Sequence, residues 1–210
     1  MKAVILAGGE GTRLRPLTLS LPKPVVPILG RPLLQYQIEQ LRRVGIEDVI
    51  LCIAYQPDRI REILGNGEGL GVRLSYVVED CPLGTGGAIR NAAPLLDDTT
   101  VVLNGDVLAT IDVAAAVAAH RRHAASATIV VTPVPDPASF GLVELGPNGL
   151  VQRFTEKPAP GQNATGANTI NAGLYVLATA ALSLMPERVN HSIERGFFPA
   201  LVARGDRVAA

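Results

Sequence analysis

The chain has 210 residues, 48% of them hydrophobic, and its 19 basic residues are matched by 19 acidic ones. Folding a chain of this mass buries about 70% of the surface that the extended chain exposes, which is ample for one core and excludes a disordered polymer. Zero net charge with 4% aromatic residues also excludes a nucleic-acid binder that works by bulk charge and stacking.

Residues 2–7 are a continuous apolar run closed by Gly8-Gly9, which predicts a buried strand. Pro32 opens a helix in which Leu34, Ile38 and Leu41 recur at helical spacing, and Gly45 suits its end. Residues 48–54 predict a second strand, Pro57 to Leu64 a short helix with Gly65 behind it, and residues 72–78 a third strand. A helix over 85–93, a strand over 100–103 and an alanine-rich helix over 112–125 follow. This alternation implies a mainly parallel sheet with helices on both faces. The rhythm then changes. Residues 127–134, 141–145 and 150–154 read as strands, with Pro147-Asn148-Gly149 as a hairpin signal between the last two. A loop over 158–169 leads to a strand over 170–177, and helical patterns fall near 179–185 and 193–203. The expected fold is α/β and Rossmann-like: a mainly parallel central sheet flanked by helices, with antiparallel strands inserted in the second half to wall a pocket. One domain over residues 1–210 is expected.

The apolar opening is too short for a signal peptide, and no run approaches the ~18 apolar residues of a membrane helix, so a soluble cytoplasmic protein with no membrane partner is expected. Cys52 lies inside an apolar run and reads as a small core residue; with Cys81 it makes neither a zinc pattern nor a disulfide framework. Asn163-Ala164-Thr165 matches the glycosylation pattern, which chance explains in a chain without a secretion signal. His120, His123 and His191 share no metal-ligand spacing and read as surface residues. The apolar stretch 197–202 covers either the core or a partner, which leaves a homo-oligomer open.

In an open parallel sheet, ligands bind beyond the carboxyl ends of the strands, and this sequence places its unusual chemistry there. Gly8, Gly9 and Gly11 follow the first strand, with Arg13 and Arg15 behind them. Such a turn lets backbone N–H groups converge on a phosphate, or is a glycine-rich turn with solvated arginines. Lys23 is held stiffly between Pro22 and Pro24, either as a fixed point charge for phosphate or as a surface lysine. Glu79 ends the third strand, before the glycines 84, 86 and 87. That cluster suggests close approach to a flat ligand or a helix N-terminus, and the carboxylate either accepts from guanine or is simply solvated. Asp106 follows a fully apolar strand and suits Mg²⁺ shared with substrate phosphates, although Asn104-Gly105-Asp106 is equally an ordinary turn. Glu156-Lys157 reads alone as a solvated ion pair, and Asn171-Ala172-Gly173 as a turn at a strand start.

In order, LAGGEGTRLRPLT, LPKP, EDCPLGTGGA, LNGD, FGLVE, FTEKP, INAGLYVL and SIERGFFPAL closely resemble the sugar-1-phosphate nucleotidylyltransferases over residues 2 to about 203. PKPVVP, LGTGGAIRNA and SIER look most like the mannose-1-phosphate guanylyltransferases and the related heptose-1-phosphate enzymes. The resemblance implies that Leu6, Ala7, Gly8, Gly9, Gly11, Thr12 and Thr85 hold the nucleotide, with Glu79 and Gly84 toward the base. It implies Arg13, Lys23 and Asp106 as the catalytic set, Asp106 being a ligand of Mg²⁺. Gly141, Glu156, Lys157 and Asn171 fall on the sugar-phosphate positions. The family continues into a Trp-x-Asp-x-Gly-Thr segment whose aspartate is the second Mg²⁺ ligand; these 210 residues contain no tryptophan and lack that segment. The implied substrates are a nucleoside triphosphate and a sugar 1-phosphate, with no nucleic acid. A carboxylate at Glu79 complements guanine's donors and favours GTP, and mannose is placed before heptose and glucose. The competing reading is a regulatory subunit that senses nucleotide sugar without catalysis.

Overall fold

The computed structural model describes residues 1–159 and 166–210. The glycosylation-like triplet 163–165 lies outside them. Strand β1 (Lys2–Leu6) leads through a 3-10 turn (Thr12–Leu14), the short helix α1 (Leu17–Ser20) and a second turn (Lys23–Val25) to a ribbon of two-residue strands, β2 (Pro27–Ile28) and β3 (Arg31–Pro32). Helix α2 (Leu33–Arg43), β4 (Asp48–Ile53), α3 (Pro57–Leu64), β5 (Arg73–Val78), α4 (Gly84–Ala92), β6 (Thr99–Asn104) and α5 (Val113–His123) complete the alternating half. The second half contributes β7 (Ala127–Pro133), β8 (Gly141–Leu145), β9 (Val151–Glu156) and β10 (Thr169–Ala178). A 3-10 turn (Thr179–Leu184), a π turn (Ile193–Phe197), α6 (Phe198–Ala203) and β11 (Val208–Ala209) follow.

The main sheet runs β11-β7-β10-β6-β1-β4-β5, with β8 and β9 attached beside β10. β1 pairs in parallel with β4 and β6, and β4 with β5. β10 runs antiparallel to both β6 and β7. From β1 the chain winds outward through β4 to β5, then returns to lay β6 on the other side of β1. The strand order therefore reverses between β1 and β6, and the loops leaving these two strands diverge to open a crevice.

Alternation within the strands sorts the core into two layers. Ala3, Ile5, Val49, Leu51, Ile53, Val101 and Leu103 face α2, α3 and α5, while Val4, Ile50, Cys52 and Val102 face α4, the π turn and α6. Both faces are covered, which is why these strands read as unbroken apolar runs. Helix α2 ends as Gly45 implied: at φ 78° its N–H reaches Arg42 O and the next N–H reaches Leu41 O, a Schellman closure. Asp112 caps α5 by accepting the Ala115 N–H at 2.8 Å.

Three expectations are corrected. His120 is buried, at 5% exposure, because Val113, Ala116, Val117 and His120 form one inward stripe of α5; its Nδ1 meets Thr128 Oγ1 at 3.0 Å. Burial, then the charge of Arg121, holds this imidazole below its ordinary pKa. His123 and His191 are partly buried rather than exposed. Asn171-Ala172-Gly173 lies inside β10, where the register against β7 shifts and Gly173 takes φ 75°, a bulge rather than a turn at the strand start. Of the 197–202 stretch, Phe197, Phe198 and Leu201 are buried in the core layer against β1 and β10.

Candidate active site

The crevice at the β1/β6 reversal is a cleft of about 720 Å³. Leu6, Ala7, Gly8, Gly9, Gly11, Thr12 and Arg13 line it from the β1 side, Lys23 from the following turn, and Asp106 from the end of β6. Glu79, Gly84 and Thr85 close it from β5 and α4. All the residues expected for catalysis and nucleotide binding thus border one cavity. Sequence reasoning passed over Ala54, Ala88, Asn104 and Gly105, which also line it, and placed Cys52 only in the core. Cys52 is indeed fully buried, and burial pushes its thiol up to about 12.

Local packing explains the composition of the walls. Gly11 sits at φ 65°, and a Cβ there would meet Lys23 Cβ at 2.8 Å, so the glycine lets the turn lie directly against the lysine. Among the described residues, no acceptor meets the backbone N–H groups of Gly8, Gly9 and Gly11. They remain as donors at the cleft. Lys23 Nζ and Asp106 Oδ2 form an ion pair at 2.7 Å in the cavity lining, although 83 residues separate them. Gly105 N–H donates to Leu6 O at 2.8 Å, and this link holds the ends of β1 and β6 together beneath that pair.

Glu79 is half-buried at the end of β5; a Cβ at Gly8 would lie 3.6 Å from its Oε1, and its Oε2 accepts the Leu83 N–H at 2.9 Å. Burial raises its carboxyl above the usual range, opposed by that N–H. The glycines of α4 also allow close packing against the segment that precedes the π turn. A Cβ at Gly84 or Gly87 would strike the backbone carbonyls of His191 or Val189 at 2.7 and 2.6 Å, and Gly86 N–H already donates to His191 O at 2.8 Å. The Thr85 hydroxyl is engaged as well: it donates to Glu194 Oε2 at 2.7 Å and accepts the Ile193 N–H at 2.9 Å.

The sugar-phosphate candidates gather next to β10. Gly141 pairs with Glu156 across β8 and β9, and a Cβ at Gly141 would lie 2.8 Å from Glu156 Oε2 and 3.4 Å from Asn171 Cβ. Lys157 follows at φ 47°, its N–H bonded to Phe140 O at 3.0 Å. Glu156 is half-buried; burial, then the charge of Glu194, raises its carboxyl, while Lys157 and Arg195 lower it. It is therefore not the solvated partner of Lys157 that the dipeptide suggested. Buried Tyr175 bridges to the cleft, since Asn171 Nδ2 donates to its hydroxyl at 2.8 Å and Asn104 Nδ2 at 3.3 Å.

Residues 2–210 match the nucleotidyl transferase family. The chain belongs to that family. Among curated relatives, mannose-1-phosphate guanylyltransferase of Mycobacterium tuberculosis is 43% identical over 205 residues, 97% of this chain and 56% of that one. The mannose-1-phosphate guanylyltransferase catalytic subunit beta of Xenopus tropicalis is 41% identical, over 100% of this chain and 58% of that one. The chain spans little more than half the length of these relatives. Among solved structures, HddC from Yersinia pseudotuberculosis superposes with a TM-score of 0.83 at 30% identity, covering 100% of this chain and 88% of that one. Its complex with GMP-PN gives 0.81 at 29% identity, with the same coverage.

Mg²⁺ binds through one or two carboxylates together with substrate phosphates and water, seldom in an all-protein cage. Asp106 fits that use. Its side chain is 49% exposed at the cleft, and the ion pair with Lys23 engages Oδ2 alone. Among the described residues no three His, Cys, Asp or Glu side chains gather to cage a metal. No helix among them is long and apolar enough to cross a membrane.

Proposed function

We propose that this chain carries the machinery to transfer a nucleotidyl group from GTP to a sugar 1-phosphate, with mannose 1-phosphate as the first choice, releasing pyrophosphate and forming the nucleotide sugar. The observation that carries the reading is the Lys23–Asp106 pair in one cleft lining with the unpartnered glycine N–H groups and Glu79. The names of the relatives and the nucleotide in the HddC complex support the choice of guanine and mannose.

An oxygen of the sugar phosphate, already anionic, attacks the α-phosphorus; the bond to the bridging oxygen breaks in line, and its electron pair leaves with pyrophosphate. No protein nucleophile is needed. The obstacle is the approach of two polyanions, and holding them in position can supply roughly 7–11 kcal/mol. Free N–H groups at Gly8, Gly9 and Gly11 would receive the phosphates, and Lys23 and Arg13 would stabilise charge as it moves to the leaving group. Mg²⁺, held by Asp106, would supply further charge neutralisation when bound. Glu79 would accept from guanine's N1–H and 2-amino group. Glu156 and Asn171 would hold sugar hydroxyls, and Lys157 the sugar's phosphate.

The test is pyrophosphate release with Mg²⁺ over a grid of GTP, dTTP and UTP against mannose, heptose and glucose 1-phosphates. It is run on this chain and on a chain extended to the length of the relatives. Release greatest with GTP and mannose 1-phosphate is expected. A maximum with another pair corrects the substrates. Nucleotide-sugar binding without release from either chain would replace catalysis with sensing.

A further inference from the structure

Glu194 lies in the π turn at Ile193–Phe197, outside every role assigned above. Its Oε2 takes two short hydrogen bonds, from Thr85 Oγ1 at 2.7 Å and from Ser192 Oγ at 2.8 Å, which pin the carboxylate. Its Oε1 faces the Tyr175 hydroxyl at 3.5 Å. Tyr175 is fully buried, so no bulk water competes for its proton.

A phenol hydroxyl has one proton and two acceptor sites. At Tyr175 the Asn171 amide donates to one of them, and this amide's orientation is fixed because its Oδ1 accepts the Gly173 N–H at 2.9 Å. The Asn104 amide approaches the same oxygen at 3.3 Å. Both amides present their Nδ2 atoms to the hydroxyl, so the Glu194 carboxylate oxygen is the acceptor left for the phenol proton. That orientation frees the oxygen's lone pairs to receive Asn171.

We infer that Glu194 is a positioning residue for the sugar side: it orients the Tyr175 hydroxyl, which in turn fixes the Asn171 amide. The inference rests on the sugar-side assignment of Asn171 proposed above. Removing the carboxylate turns the phenol proton back toward the amides, sets donor against donor, and releases Asn171. Thr85, which borders the nucleotide cleft, then acts on the sugar side through Glu194 because its hydroxyl is already committed there.

The experiment compares Glu194→Gln, Tyr175→Phe and the double variant. Each single change unsettles a buried hydrogen-bonded group, so each is expected to raise KM for the sugar 1-phosphate about 10-fold, with KM for the nucleotide changed by less than about 2-fold. The double variant is expected to be no worse than the worse single one, because the two residues act in series. In parallel, the side-chain amide resonances of Asn171, assigned by their loss in Asn171→Ala, are expected to move toward solvent values in both single variants. Additive losses, or Asn171 resonances that stay in place, overturn the inference. Should Glu194→Gln fail to fold, Tyr175→Phe must give the same loss alone. Wild-type protein that uses no sugar phosphate, while Asn171 still moves in the variants, counts against the transfer reaction and leaves the positioning standing.

Discussion

Lys23 and Asp106 neutralise one another at 2.7 Å with both side chains partly exposed, 22% and 49%. Exposed pairs contribute about 0–1 kcal/mol, so Lys23→Ala should leave the urea midpoint nearly unchanged. Loss of one preorganised charge facing a developing oxyanion costs about 10²–10³ in kcat, and that gap between turnover and stability is the expected result. A rate unchanged in single-turnover measurements would remove the lysine from the chemistry. Glu79 gives a pH prediction with a definite sign. The proposed contact to guanine's donors needs the carboxylate, and burial raises that carboxyl above the ordinary glutamate range. Affinity for GDP should therefore fall as pH drops, at a higher pH than an exposed glutamate would give. Calorimetry from about pH 8 to about pH 5 on wild type and Glu79→Gln separates this from the titration of the nucleotide, which both proteins share. Parallel profiles would show that Glu79 does not read the base.

The elements were legible where period and punctuation agreed. Strands expected over 48–54 and 72–78 are Asp48–Ile53 and Arg73–Val78, and the helix from Pro57 to Leu64 ends at Gly65. The two-residue strands β2, β3 and β11 escaped because such short pairings carry no periodicity. Two errors had a visible signal. Val113, Ala116, Val117 and His120 share one helix face, which places His120 inward, and a glycine inside a strand pattern marks a bulge at Asn171–Gly173. Glu194 left no local trace, because Thr85 is 109 residues away in sequence. Local motifs could show which residues carry chemistry, but not which of them are tied to one another. At this scale Gly105 is the sensitive joint. A Cβ there would lie 2.5 Å from the Leu6 carbonyl oxygen, so Gly105→Ala must separate the ends of β1 and β6. Overpacking of this kind costs about 1–3 kcal/mol, and because Asp106 is the next residue, turnover should fall with stability. An unchanged urea midpoint in this variant would show that the joint gives way freely.

In the whole molecule, most of the apolar core lies away from the cleft, and Ala7, Cys52 and Ala88 belong to both. The core is two apolar layers on either side of the sheet, and the cleft opens at one end of the strands between β1 and β6. Ile38 is fully buried in the layer beneath α2, away from the cleft lining. Ile38→Ala should cost about 2–5 kcal/mol in denaturant unfolding. Below the transition, KM for both substrates should match wild type; a changed KM would mean that the α2 layer reaches the cleft. The antiparallel ladder between β10 and β6, from Leu174↔Leu103 to Ala178↔Thr99, has a mechanical consequence. Asp106 follows β6 by two residues and Asn171 lies in the bulge of β10, so the groups proposed for metal and for sugar grow from neighbouring strands of one continuous fabric. The floor of the site works like a jig. The gauge between the two proposed substrate sides is set when the sheet forms.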